Sequence, residues 1–390
     1  MWFLESTELC AEARRRTGLE DFGSPPIEPA LSVLVKSLEE EADLHALGRF
    51  LMRIHLRDLL ELRLRLAEAW KDKLSALDEA SIEKPIFIVG MPRSGSTFLH
   101  ELLTDNPEHR APRVWEVMYP LASSPGQRDN ARRITKAEAC LWCFRKLAPR
   151  ADAVYPMRAR TPHECVAIHS HTFLSPEFIS TCRIPTYEAF LRSTDLTPAY
   201  RWQRRFLQHL ELDCPGKRWV LKSPDHVHGL KKLFAVFPDA LIVQTHRNPV
   251  EVVKSSVDLT RVLRGLCGPP GDLEELLARE TSMLAESTEN FIQFRDAHPE
   301  LKDRFIDVKY TDLIADPVAT VRRIYEQIDS PFTESSARRL QQMASARSRY
   351  QGRRASAEPD GLTWATGLDT ARFERYCSRF ELFPKAGAER

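Results

Sequence analysis

Pro85-Ile-Phe-Ile-Val-Gly90, running on into Met91-Pro-Arg-Ser-Gly-Ser-Thr97, is the stretch that decides how this chain folds. Its first six residues form a short, continuously apolar run ending in glycine, the pattern of a strand buried on both faces. Small and polar residues follow, and then a helical pattern expected to run from Thr97 to about Asp105, ending before Pro107. A strand that feeds a helix through such a loop lets successive backbone N–H groups and the helix N-terminus surround an anion. Against the phosphate-loop pattern G-x-x-x-x-G-K-[ST], the stretch keeps Gly90, Gly95 and Thr97 but carries Ser96 where the lysine belongs. The cation sits inside the loop instead, at Arg93.

Outward from this unit, two more runs have the buried-strand look: Trp219-Val-Leu-Lys222 and Ala240-Leu-Ile-Val-Gln-Thr-His246. Phe305-Ile-Asp-Val-Lys-Tyr310 is a fourth, followed by Asp316-Pro317 and a helical stripe through Val321, Ile324 and Ile328. Strands alternating with helices predict an α/β fold: a three-layer, P-loop-like parallel sheet flanked by helices, with right-handed crossovers. Residues 83–390 are taken as that domain, with a helical insert over 120–215 on the expected acceptor side. Residues 1–82 are taken as a helical segment packed on it. There, Leu44, Leu47, Phe50, Leu51, Ile54 and Leu59 recur at helical spacing. Arg53, Arg57, Arg63 and Arg65 interleave with Glu61 and Glu68, which favours a packed helix over one lying on a membrane. The Gly/Arg/Ser-rich stretch 350–366 reads as a loop before a last helix around 373–380.

Composition excludes several classes. The 390 residues carry 56 Lys+Arg against 55 Asp+Glu, a net charge of +1, so no global basic excess points to nucleic acid. Hydrophobic residues are 43% and charged residues 28%, ordinary globular values that rule out wholesale disorder. No apolar run approaches the roughly 18 residues of a transmembrane helix, and Glu5 falls too early for a secretory signal. Eight scattered cysteines suit a reduced, cytoplasmic protein, with Cys140 and Cys143 expected as two buried thiols in a helix. His169-Ser-His171 and His226-Val-His228 lack an identifiable third ligand, so no metal site is expected.

The loop resembles the 5′-phosphosulfate-binding loop of sulfotransferases that use 3′-phosphoadenosine 5′-phosphosulfate (PAPS), most strongly a bacterial type whose loop reads Pro-Arg-Ser-Gly-Ser/Thr-Thr. The resemblance, which covers about Lys84 to Phe383, assigns Arg93, Ser94, Gly95, Ser96, Thr97 and Phe98 to the phosphosulfate. A sulfuryl group bears less charge than a γ-phosphoryl group, so donors and a basic side chain can suffice and no metal is expected. Thr245-His-Arg-Asn-Pro-Val-Glu-Val-Val-Lys-Ser255 looks like the 3′-phosphate motif of the same enzymes, with Arg247 at a strand end and Ser255 two turns into a helix. Arg supplies a planar, permanently charged fork and Ser a neutral donor. Tyr350-Gln-Gly-Arg-Arg354 is similar to the basic loop that closes over the nucleotide, which assigns Arg353 and Arg354 to it.

Lys222 ends a buried strand, where a lysine costs desolvation unless an anion meets it. It looks like the lysine that reaches the transferring group. An acceptor hydroxyl also needs a base. The resemblance favours Glu116 in Arg113-Val-Trp-Glu-Val-Met118, with Glu164, His226 and His100 as alternatives. The expectation is therefore sulfuryl transfer from PAPS to a small-molecule, lipid or glycan hydroxyl, by Arg93, Lys222 and Glu116. A nucleoside-triphosphate kinase, or a relative that binds the nucleotide without chemistry, are the other readings. Trp142, Phe144, Tyr155, Phe173 and Phe178 are aromatics of the insert that either line the acceptor pocket or fill the core.

Overall fold

In the computed structural model, residues 3–122, 126–354 and 369–382 are described, apart from the side chains of 127 and 347–354. Five strands form one parallel sheet: β1 (Ile86–Gly90), β2 (His109–Arg110), β3 (Arg218–Lys222), β4 (Leu241–His246) and β5 (Phe305–Lys309). Their order is β2-β3-β1-β4-β5, so β1 is central, with β2 and β3 built on one side of it before the chain crosses to add β4 and β5 on the other. Such a switch point opens a crevice beyond the carboxyl ends of the strands. The register ends β1 and β4 nearly together, with Gly90 opposite Thr245, while β3 stops two residues short, with Lys222 opposite Ile88.

Every residue of β1 is buried, and its alternation explains why the run is apolar on both parities. Phe87 and Val89 join Leu221, Ile242, Phe206 and Phe291 on one face, while Ile86 and Ile88 join Val220, Val243, Leu99 and Ile324 on the other. Helices thus cover both faces of the sheet, the three-layer arrangement expected. The loop helix spans Ser96–Leu103, and the stripe through Val321 and Ile324 becomes the helix Pro317–Gln327. The two-residue edge strand β2 was not expected, because His109 and Arg110 carry no apolar pattern.

The N-terminal residues form helices at Ser6–Thr17, Ala30–Glu40 and Ala46–Lys71. Leu47 and Phe50, expected on the apolar stripe, are exposed; the buried side is Met52, Leu56, Leu60 and Leu64. These helices share a core with Phe173, Phe178 and Tyr187 of the insert. Arg63, fully buried, ties the two together through the carbonyls of Phe22 (2.9 Å) and His171 (2.8 Å) and stacks on Trp202. The helix Glu334–Arg354 continues past Tyr350, where a loop was expected, with Gly352 inside its last turn and no proline to break it. Residues 355–366 of that expected loop lie outside the described residues. The closing helix is Glu374–Phe380.

Candidate active site

The loop after β1 is held by close contacts that glycine alone permits. Gly90 has φ +132°, and a Cβ there would lie 2.5 Å from the Thr245 carbonyl oxygen on β4. Gly95, the N-cap of the loop helix, has φ +88°, and its Cβ would lie 2.9 Å from the Tyr310 ring. Ser94 is buried, and its hydroxyl reaches the Met91 carbonyl and the Thr245 hydroxyl (2.6 Å). Its side chain, assigned above to the nucleotide, is used instead to fasten the loop to β4.

The loop borders a cavity of about 500 Å³ at the carboxyl ends of the strands. Arg93, Gly95, Ser96, Thr97 and Phe98 line it together with Lys222 and Arg247. The first amides of a helix have no acceptor within that helix, so this wall is suited to an anion. The insert contributes Val154–Met157 and Thr161–Glu164 to the lining, and Ile314 and Met343 also line it.

Three motifs distant in sequence meet here. Asn248 caps the helix Pro249–Arg264 by accepting from the Val250 amide (2.9 Å), which fixes the turn carrying Arg247. Arg247 donates to the Arg93 carbonyl (2.8 Å) and to Glu251 (2.7 Å), with its guanidinium 4.2 Å from the Tyr310 ring centroid. Arg93 in turn donates from Nε to the Ser255 hydroxyl (2.9 Å). Lys222, 2% exposed, projects from the end of β3 to the Thr97 hydroxyl (3.2 Å) and to the Glu164 carboxylate. Glu164 precedes the short helix Cys165–His169 and also accepts from the Tyr155 hydroxyl (2.8 Å). Burial and the Glu164 charge hold the Tyr155 phenol well above its usual range, so it stays a donor.

Glu116 is not at this cavity. One of its oxygens accepts from the Arg113 amide (2.8 Å) at the start of the helix Val114–Met118, and the other pairs with Arg110 (3.2 Å). Burial raises its carboxyl, and Arg110 offsets part of that rise. Glu116 thus caps a helix, whereas Glu164 and Glu101 are the carboxylates that line the cavity with Arg93 and Lys222, and Glu164 is the one paired with Lys222. An arginine at the N-cap, rather than Ser or Thr, hid this capping arrangement in the sequence. His100 borders the cavity, but its Nε2 is bonded to the Val220 carbonyl (3.0 Å), and burial pushes it down to about 3. His226 is buried against Tyr200 (2.9 Å) and Phe87, away from the cavity, and burial holds it well below its usual range. The Arg353 and Arg354 side chains lie outside the described residues.

Of the insert aromatics named from the sequence, Tyr155 lines the cavity; His163 and Tyr310 line it too and were not singled out, since single rings in helical or loop segments carry no periodic signal. Burial lowers the His163 imidazole from its usual range, leaving it neutral at pH 7. Of the other insert aromatics, Phe173 and Phe178 are core and Trp142 is exposed. Cys140 and Cys143 do lie on a helix, Gln127–Leu147, but both are exposed rather than buried. His169 bonds Gln203, His171 accepts from Trp202, and His228 bonds Ser287, and no cluster of metal-ligating side chains occurs among the described residues.

With the cavity assembled from loop, strand-end lysine and strand-end arginine, comparison with known proteins is decisive: residues 85–334 match the model of the Sulfotransferase family. The chain belongs to the sulfotransferase family. It is 31% identical to sulfotransferase STF1 from Mycobacterium tuberculosis H37Rv, whose crystal structure superposes with a TM-score of 0.74 over 87% of this chain and 92% of that one. Sulfotransferase STF9 from Mycobacterium avium shares the fold with a TM-score of 0.79 over 97% of both chains, at 24% identity. The sulfotransferase is also 26% identical, over 69% of each chain, to omega-hydroxy-beta-dihydromenaquinone-9 sulfotransferase Stf3 of Mycobacterium bovis. The matched region contains the whole sheet and all three motifs. The N-terminal helices precede it.

Proposed function

We propose that this sulfotransferase moves a sulfuryl group from PAPS to the hydroxyl of a largely apolar acceptor, with Glu164 as the base. The observation that carries the reading is the pairing of Glu164 with Lys222, which also reaches Thr97, in the same cavity as Arg93 and Arg247. The loop amides and Arg93 hold the phosphosulfate, and Arg247 and Ser255 take the 3′-phosphate. The acceptor oxygen attacks sulfur while the bond from sulfur to the phosphate oxygen breaks, releasing adenosine 3′,5′-bisphosphate. The acceptor proton passes to the Glu164 carboxylate. Lys222 and Arg93 stabilise the charge on the group in flight, and Tyr155 keeps Glu164 turned into the cavity.

Val154, Pro156, Met157 and Ile314 make the acceptor side of the cavity apolar, which suits a hydrocarbon-rich alcohol. The relative Stf3, named for a hydroxylated dihydromenaquinone, agrees with that acceptor class. Calorimetry in EDTA tests the donor: adenosine 3′,5′-bisphosphate is expected to bind without metal. Tighter binding of Mg·ATP than of the bisphosphate would replace sulfuryl transfer with a kinase reaction.

A further inference from the structure

The outer face of the helix Gln127–Leu147 has no place in the reaction above, and its composition is unusual for a solvated surface. Trp142 is 55% exposed and Leu147 65% exposed, and the exposed Ala139, Cys140 and Cys143 join them. At helical spacing Ala139, Cys143 and Leu147 form one row and Trp142 the next, so the apolar groups are contiguous. Cations surround them: Arg128, Arg132, Lys136, Lys146 and Arg150 are all exposed. Arg128, Arg132 and Arg150 form no ion pair among the described residues, and the Lys146 ammonium lies 5.7 Å from the centre of the Trp142 ring. The carboxylates of this helix are occupied, Asp129 by Arg133 and Glu138 by Arg145.

The helix leads directly to the acceptor side of the cavity. The helix Pro149–Val154 follows at once, about 9 Å long at the standard rise. Its last residue, Val154, lines the cavity, and the Val154 carbonyl accepts from Arg93 (3.3 Å). An exposed tryptophan and leucine on a face that carries five exposed cations and no free carboxylate of its own helix match the boundary between acyl chains and anionic headgroups. Solvent alone explains the cations but not the tryptophan and leucine beside them.

We propose that the outer face of Gln127–Leu147 docks on an anionic lipid bilayer, which sets the apolar rim of the cavity at the membrane surface where a lipid-like hydroxyl acceptor resides. The acceptor part rests on the proposed function; the docking itself does not, and is measured without turnover. The full chain is floated with phosphatidylcholine vesicles, with and without phosphatidylglycerol, at low and high salt. Binding is expected only with phosphatidylglycerol, and is expected to fall steeply as salt rises. Trp142→Ser/Leu147→Ser and Lys146→Glu/Arg150→Glu should each lower the partition by about tenfold or more. Affinity for adenosine 3′,5′-bisphosphate should stay unchanged in both, which reports that they are folded. Wild-type chain that remains in the aqueous phase with phosphatidylglycerol at low salt overturns the proposal, and so does undiminished binding by folded variants. A dimer in size exclusion that Trp142→Ser/Leu147→Ser dissociates would assign the face to a second copy of this chain instead. Loss of sulfuryl transfer with vesicle binding intact would count against the proposed reaction, not the docking.

Discussion

Glu116 and Glu164 are the same residue type with opposite surroundings, and that difference sets what a substitution at each is expected to do. Glu164 meets an ammonium, a phenol and open space, whereas Glu116 meets an amide and a guanidinium. Glu164→Gln keeps the shape and removes the basicity, so kcat should fall by roughly 10²–10⁴ while bisphosphate affinity survives. Glu116→Gln should leave kcat nearly unchanged and lower the unfolding free energy by about 1–2 kcal/mol, through the weakened cap and lost ion pair. Steady-state rates and urea melts on the two variants check both statements; the reverse pattern would return the chemistry to Glu116. Arg247→Ala should weaken adenosine 3′,5′-bisphosphate by roughly 2–4 kcal/mol, because it removes charge-assisted bonds in a partly desolvated site. Adenosine 5′-phosphosulfate, which lacks the 3′-phosphate, should bind almost as before, and equal losses for both would make Arg247 structural.

At the scale of the element, the phosphate loop is a turn whose conformation depends on a side chain being absent. Gly95 holds a left-handed φ at the mouth of its helix, with the Tyr310 ring packed where a Cβ would be. Tyr310 opens the helix Tyr310–Ala315 after β5 and supports Arg247 through its ring. Gly95→Ala therefore strains the loop and pushes on the platform under Arg247 together. Bisphosphate affinity should drop by at least tenfold with a far smaller fractional change in thermal stability. An alanine variant that binds normally would show that the loop can relax without cost. The strand and the loop were legible because each is written in consecutive residues: apolar run, glycine, small polar residues, helix. The edge strand β2 was not, since two residues between loop segments are too few to show a period.

Across the whole molecule, nine of the twelve histidines are held below their ordinary range, each chiefly by burial. His100 and His171 are pushed down to about 3 and His169 to about 4. A histidine with a depressed folded pKa takes up protons first in the unfolded chain. Its contribution is complete above the unfolded value near 6.5 and is lost as pH falls toward the folded value. Between pH 6 and pH 5 these three alone should remove roughly 3–4 kcal/mol of stability. Melting temperature should therefore drop sharply from pH 7.5 to pH 5.5, and a flat profile across that interval would contradict the burial of these imidazoles. In the two His-x-His pairs one ring nitrogen of each imidazole is engaged, that of His169 with Gln203, His171 with Trp202, His226 with Tyr200 and His228 with Ser287.

The sequence by itself determined the parallel α/β sheet, the glycine-bearing loop from β1 into its helix, the strand-end positions of Lys222 and Arg247, and through them the family. All of these are local: each follows from periodicity, turn chemistry or a cap within about a dozen residues. Which carboxylate faces the loop was decided only by tertiary structure. Glu116 lies 26 residues beyond Gly90 and Glu164 lies in the insert, and no local rule says which crossover folds back over the sheet edge. The insert packs in a core shared with the N-terminal helices, and where it passes the loop Glu164 supplies the anionic partner that Lys222, buried at the end of β3, requires. The exposed side of Gln127–Leu147 was likewise decided in three dimensions, since Trp142 has the same hydrophobicity whether it fills a core or faces a membrane.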